Sequence, residues 1–177
     1  MKMPFAKTFR TLMLCLTALF SAAPAVGAGW DWRDGFDLSS KPGDRSYLLI
    51  SPYTLHFRPS DEHKNVLLLG YDRERANGAL AGAALFSNSF GQPSVYLFPW
   101  GQVYRGVMDT PQLYVKWTAG LLYGYTGKYK DKVPFNHNGF SPGFVPAMGW
   151  EFDSRQQVQV NLLGFNGIML QFTQPLR

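Results

Sequence analysis

The stretch LYVKWTAGLLYGY, residues 113–125, alternates without a break. Leu113, Val115, Trp117, Ala119, Leu121, Tyr123 and Tyr125 share one parity; Tyr114, Lys116, Thr118, Gly120, Leu122 and Gly124 share the other. Successive side chains of a strand point to opposite faces, so this pattern describes a strand with one apolar face and one small or polar face. VQVNLLG repeats it, with Val158, Val160 and Leu162 opposed by Gln159 and Asn161. GIMLQFT does so again, with Ile168, Leu170 and Phe172 opposed by Met169, Gln171 and Thr173. A chain patterned this way folds as sheet.

The same reading along the chain gives candidate strands at 46–58, 64–75, 78–89, 93–104, 112–126, 142–152, 155–164 and 167–174. Their number is even, and many approach the roughly ten residues that a tilted membrane strand needs. Tyr and Trp fall on apolar faces near strand ends, where an aromatic girdle sits. A soluble β-sandwich or a lipocalin-like barrel binding an apolar ligand also alternates. Strand length and girdle favour an all-β, eight-stranded antiparallel outer-membrane β-barrel.

Export fits this expectation. Lys2, Lys7 and Arg10 precede the apolar run LMLCLTALF, and APAVGA offers small residues for cleavage after Ala28. The run is shorter than the ~20 residues a spanning helix needs, so residues 1–28 read as a signal peptide and 29–177 as the barrel domain. Removing those three cations lowers the formal charge from +5 to +2, which takes away the main support for a nucleic-acid partner. Cys15, the sole cysteine, leaves with the leader, so neither disulfides nor thiol chemistry is expected. HExxH, paired CxxC and GxSxG are absent, and GYTGKY lacks the phosphate-loop spacing, so neither a metal nor a cofactor is expected.

With both termini on the periplasmic side, RERANG, RGVMDTP and DSRQ become inner turns. RPSDEHK, SNSFGQP, GKYKDKVPFNHNGFS and GFNG become outer loops, the longest among them, as in such barrels. All three histidines then lie outward: His56 ends the first strand, His63 is in the first loop and His137 in the third. Ser87, Asn88 and Ser89 end the third strand on the same rim as His56. An imidazole, an amide and a hydroxyl are the parts of acyl transfer, although serine and asparagine also serve ordinary turns.

SPYTLHF, LFSNSFGQ, WTAGLLYG and FSPGFVPAMGWEF follow one another in an order and spacing that resembles the PagP lipid A palmitoyltransferases, from about Tyr47 to Phe172. The resemblance is to a divergent branch. It implies an outer-membrane barrel in a Gram-negative bacterium, active site outward, that moves a palmitoyl or similar chain from a glycerophospholipid donor to lipid A, as a monomer. His56 matches the family's rim histidine; Asn88 and Ser89 match its Asp-Ser pair, so the aspartate is missing. An amide cannot serve as a base, but it can fix an imidazole tautomer or donate to an oxyanion. Asp61, Glu62 and His63 are nearby candidates for the missing charge.

Pro52, Pro142 and Pro146 lie inside expected strands, where each leaves a ladder bond unmade. By resemblance, Pro52 marks one lateral lipid gap, and Pro142 with Pro146 marks the other. An apolar acyl well between them is expected, floored near Leu97, Phe98, Pro99 and Trp100. Lys128, Lys130 and Lys132 are expected to meet lipid A phosphates. GWDWRDGF stands where the family has an amphipathic helix, and Trp32 and Phe36, four apart, would share its face.

Overall fold

The computed structural model of the chain describes residues 32–37 and 39–176, so the expected leader at 1–28 lies outside the described residues. Eight strands follow in order: β1 (Arg45–His56), β2 (Leu68–Glu74), β3 (Leu80–Ser87), β4 (Pro93–Arg105), β5 (Leu113–Tyr123), β6 (Phe140–Glu151), β7 (Gln157–Leu163) and β8 (Gly167–Leu176). Each is antiparallel to its chain neighbours, and β1 closes on β8 through pairs such as Leu48↔Gln174. The fold is a closed all-β barrel of eight strands. Short connections at 75–79, 106–112 and 152–156 lie at the end holding Arg45 and Leu176; the other four connections lie at the end holding His56.

Alternation sorts the side chains into two populations. Ile50, Leu69, Leu85, Leu121, Phe144 and Phe172 point outward and are exposed, forming an apolar belt that fits an outer membrane. Inside, the half nearer His56 is apolar: Leu49, Leu68, Ala84, Phe98 and Met169 cluster there, with Phe86, Tyr96 and Leu163 packed against them. The half nearer the termini is polar. Arg105 bridges Glu74 at 2.6 Å and Glu151 at 2.5 Å, and Lys116 meets Asp72 at 3.2 Å. The Tyr114 hydroxyl donates to Gln159 Oε1 at 2.9 Å, and the Gln159 amide donates to Asn161 Oδ1 at 2.6 Å. Buried charges persist because they are paired and hydrogen-bonded, and together they plug the lower interior.

Two irregularities reset the alternation. In β1 the register against β8 slips between Ile50 and Tyr53, so Ser51 and Pro52 together form a bulge. In β4 it slips against β5 between Leu97 and Trp100. This second slip corrects the expected well floor. Leu97 pairs with outward Leu121 and is 51 % exposed, and Trp100 pairs with Ala119 on the same outer face. Pro99 sits in the bulge, so Phe98 alone of the four points inward, into the apolar cluster.

The ladder is also broken where the prolines stand. Pairing of β1 with β2 ends at Ser51↔Leu68, leaving residues 52–56 without β2 partners. Pairing of β6 with β7 starts at Ala147↔Asn161, leaving residues 140–146 without β7 partners. Pro52 and Pro146 are each the first residue beyond a ladder's end, and Pro142 lies farther along the second break. Both breaks are in the half nearer His56.

A third interruption lies between the β3–β4 pair Gly82↔Phe98 and the isolated Ala79↔Gln102 bridge. The N-terminal segment covers it. A 3-10 turn, Trp32–Gly35, stands where an amphipathic helix was expected, and the Trp32 side chain lies outside the described residues. Gly35 fits so closely on the Pro99 carbonyl that a Cβ would collide with it, and the Phe36 ring meets Trp100 edge-on at 5.9 Å. Arg75 anchors the chain between this turn and β1, donating to Asp44 at 2.6 Å and to the Ser39 carbonyl at 2.7 Å.

The second and third strands are shorter than their alternation suggests. Residues 64–67 precede β2, with the Ser87 N–H bonded to the Leu67 carbonyl, and β3 ends at Ser87. Asn88 and Ser89 therefore belong to the turn rather than to the strand.

Candidate functional site

The Ser51-Pro52 bulge decides where His56 points. Tyr47, Leu49 and Ser51 face inward, so unbroken alternation would send His56 outward. The extra residue shifts the parity: Thr54 pairs with inward Met169, and His56, two residues on, shares its face. His56 Nε2 then lies 2.6 Å from Ser89 Oγ, a short hydrogen bond at the rim. Sequence reading placed both residues on one rim, and the structure brings them into contact.

Asn88 sits beside this pair but serves the turn. It is 0 % exposed, and its Oδ1 accepts from the Phe90 N–H at 2.9 Å and the Gln92 N–H at 3.1 Å. Its amide nitrogen donates to the Gly124 carbonyl at 3.3 Å and to Gln92 Oε1 at 3.4 Å. This is an Asx-type cap on a tight turn in which Gly91 takes φ 79°. The expectation that Asn88 orients the imidazole or binds an oxyanion is corrected: every polar atom of its side chain is engaged in presenting Ser89. Among the described residues, no carboxylate bonds to His56.

What surrounds the pair is aromatic. The His63 ring lies 4.1 Å from the His56 ring, tilted by 32°, and meets the edge of Phe90 at 5.5 Å. His63 Nδ1 is shut off from solvent and has no hydrogen-bond partner. Phe90 stacks on Tyr129 at 4.2 Å and meets Tyr125 edge-on at 6.3 Å. The Tyr125 hydroxyl interacts with the Ser89 side chain. Burial pushes this phenol up to about 12, with the Ser89 contact pulling the other way, so it keeps its proton at neutral pH.

The lysine-bearing 3-10 turn, Gly127–Lys132, leans on the same cluster. Lys128 pairs with Glu62 at 3.2 Å and lies 4.7 Å above the Tyr129 ring; Lys132 lies 5.6 Å from the Phe90 ring. Lys130 is exposed. The Lys128–Glu62 pair is solvated and adds little energy. His137 stands apart, backbone-paired with Phe140 in the β5–β6 connection. No group of three metal-ligating side chains occurs among the described residues.

Tyr125 and Phe90 escaped sequence reading. Tyr125 continues the outward parity of its strand, but Gly124, at φ 136°, breaks that parity and lets the ring turn inward. A glycine at the strand end, immediately before Tyr125, was the available signal.

No family model and no curated protein matches the sequence. Among solved structures, a de novo designed transmembrane β-barrel matches with TM-score 0.52 at 13% identity, covering 78% of this chain and 100% of that one. At that identity the likeness speaks for fold alone. A protein of unknown function from Clostridium acetobutylicum matches with TM-score 0.19 at 9% identity, covering 76% of this chain and 97% of that one, and adds nothing.

Proposed function

We propose that this chain is an outer-membrane acyltransferase of the PagP kind, moving a palmitoyl or similar chain from a glycerophospholipid to lipid A. One observation carries the reading: a His56–Ser89 pair 2.6 Å apart stands where an apolar barrel interior opens at the rim. The donor's acyl chain would lie in the apolar half, above the polar plug, with its ester beside His56. The acceptor hydroxyl gives its proton to His56 Nε2, directly or through Ser89 Oγ, and attacks the ester carbonyl. The same imidazole returns the proton to the departing lysophospholipid oxygen.

Breaks beside Pro52 and along Pro142 and Pro146 supply sideways paths from the bilayer. Lys128, Lys130 and Lys132 supply positive charge near acceptor phosphates. The enzyme would work as a monomer, without cofactor or nucleic acid, in the outer membrane of a Gram-negative cell with its loop end outward.

Mass spectrometry of lipid A from cells with and without the gene tests this. The wild-type chain adds the mass of one acyl group; His56→Ala and Ser89→Ala add none, although both barrels keep heat-modifiable gel migration. Lipid A left unmodified by the wild-type chain sinks the reading.

A second reading, a non-catalytic barrel that binds a lipid, is favoured by one observation. The family's carboxylate is replaced by Asn88, whose side chain is engaged in the turn. It predicts that His56 and Ser89 substitutions leave lipid composition unchanged.

A further inference from the structure

We infer that His63 is a second catalytic imidazole, whose Nδ1–H binds the oxyanion formed when the donor ester is attacked; the inference rests on the acyltransfer reading above. The starting point is an unmet hydrogen bond. His63 Nδ1 is closed to solvent and has no partner. Leaving a buried polar atom in that condition is unfavourable, so its lack of a partner beside a candidate reaction centre marks a contact left for substrate.

Its surroundings narrow the role. The backbone N–H of His63 already bonds the Ser60 carbonyl at 2.9 Å, so the loop turn does not depend on the ring nitrogen. The ring packs against His56 at 4.1 Å and Phe90 at 5.5 Å. A second base there would be redundant, since His56 Nε2 already faces the hydroxyl of Ser89. The other side-chain donors at the cluster are engaged, the Asn88 amide with Gly124 and Gln92 and the Tyr125 hydroxyl with Ser89, whereas His63 Nδ1 is not. His63 carrying a proton on Nδ1 supplies a donor for developing negative charge.

The step balances without any further reactant. The acceptor oxygen bonds to the ester carbon as its proton passes to His56 Nε2, and the carbonyl π electrons move onto the carbonyl oxygen. That oxyanion accepts the hydrogen bond from His63 Nδ1. Collapse breaks the bond to the leaving oxygen, which takes the proton back from His56. The products are an acylated acceptor and a lysophospholipid.

The test uses the refolded full barrel in detergent, a phosphatidylcholine donor labelled in its acyl chains, and lipid A as acceptor. His63→Phe keeps the ring contacts and removes the nitrogen; His63→Asn puts an amide near the place of Nδ1. Loss of one oxyanion donor lowers kcat by about 10²–10³-fold with little change in KM. We expect that loss for His63→Phe, with His63→Asn recovering at least tenfold of it. If His63→Phe does not fold, by circular dichroism and heat-modifiability, His63→Ala is read in its place. A kcat within threefold of wild type for a folded variant lacking the nitrogen overturns the inference and leaves the acyltransferase reading standing. Equal loss in His63→Phe and His63→Asn, with no rescue by the amide, likewise overturns it. Absence of transfer by the wild-type barrel overturns both.

Discussion

A single amide shows how neighbouring residues divide labour. Asn88 stands where the resembled family carries a carboxylate, and restoring that carboxylate looks like an improvement on paper. Its contacts argue otherwise. Asn88 Nδ2 donates to the Gly124 carbonyl and to Gln92 Oε1, and an aspartate would aim an acceptor oxygen at both. Asn88→Asp is therefore expected to lower stability by about 1–3 kcal/mol, the cost of an unmade buried bond, without raising acyl transfer. The midpoint of urea unfolding in detergent, read beside the lipid assay, checks both halves. A gain in transfer with unchanged stability would contradict this placement. At this scale sequence reading found which residues meet but not what each does. His56 and Ser89 were legible as neighbours on one rim; the capping role of Asn88 depends on its hydrogen bonds within its own turn and to Gly124, and periodicity carries no trace of them.

Strands are the level at which the sequence speaks most plainly, because one buried face and one lipid face leave period-two alternation little freedom. All eight were legible, with ends off by a few residues. Two things were hidden. A bulge adds one residue and inverts everything beyond it, so Trp100, which shares the parity of inward Phe98, faces outward instead. The bulge at Ser51-Pro52 works the other way and brings His56 inside. The seams were legible through proline, whose missing N–H predicts an unmade bond wherever it stands in a strand. Their use by lipid is open to a direct test. Pro146 and Leu162 come next beyond the last β6–β7 pair, Ala147↔Asn161. A Pro146→Cys/Leu162→Cys barrel, oxidised to close that seam, should lose most of its transfer and regain it on reduction. Pro52→Cys/Leu67→Cys asks the same of the other seam. Transfer indifferent to both bridges would remove the lateral route.

Across the whole molecule the two halves differ in kind. The end near the termini is filled with ion pairs, and its one ladder break, between β3 and β4, is covered by the N-terminal turn; the end near His56 is slit twice and filled with hydrocarbon. The polar half carries stability that single substitutions expose. Lys116→Met strands Asp72 in the interior, and a broken buried pair of this sort costs about 3–5 kcal/mol. Lys116→Met/Asp72→Leu should recover most of that, as chemical unfolding of the three barrels would show; equal losses in single and double variants would mean that packing, not charge, dominates there. This contrast also sets the mechanics. The lower half resembles a cask whose one open joint is bound over by the N-terminal turn and whose other staves are each fixed to their neighbours. The upper half is a collar cut in two places, so its arcs can flex apart while the cask below keeps their spacing. Stiffness therefore falls along the barrel axis, and the compliant lip is the part that carries His56.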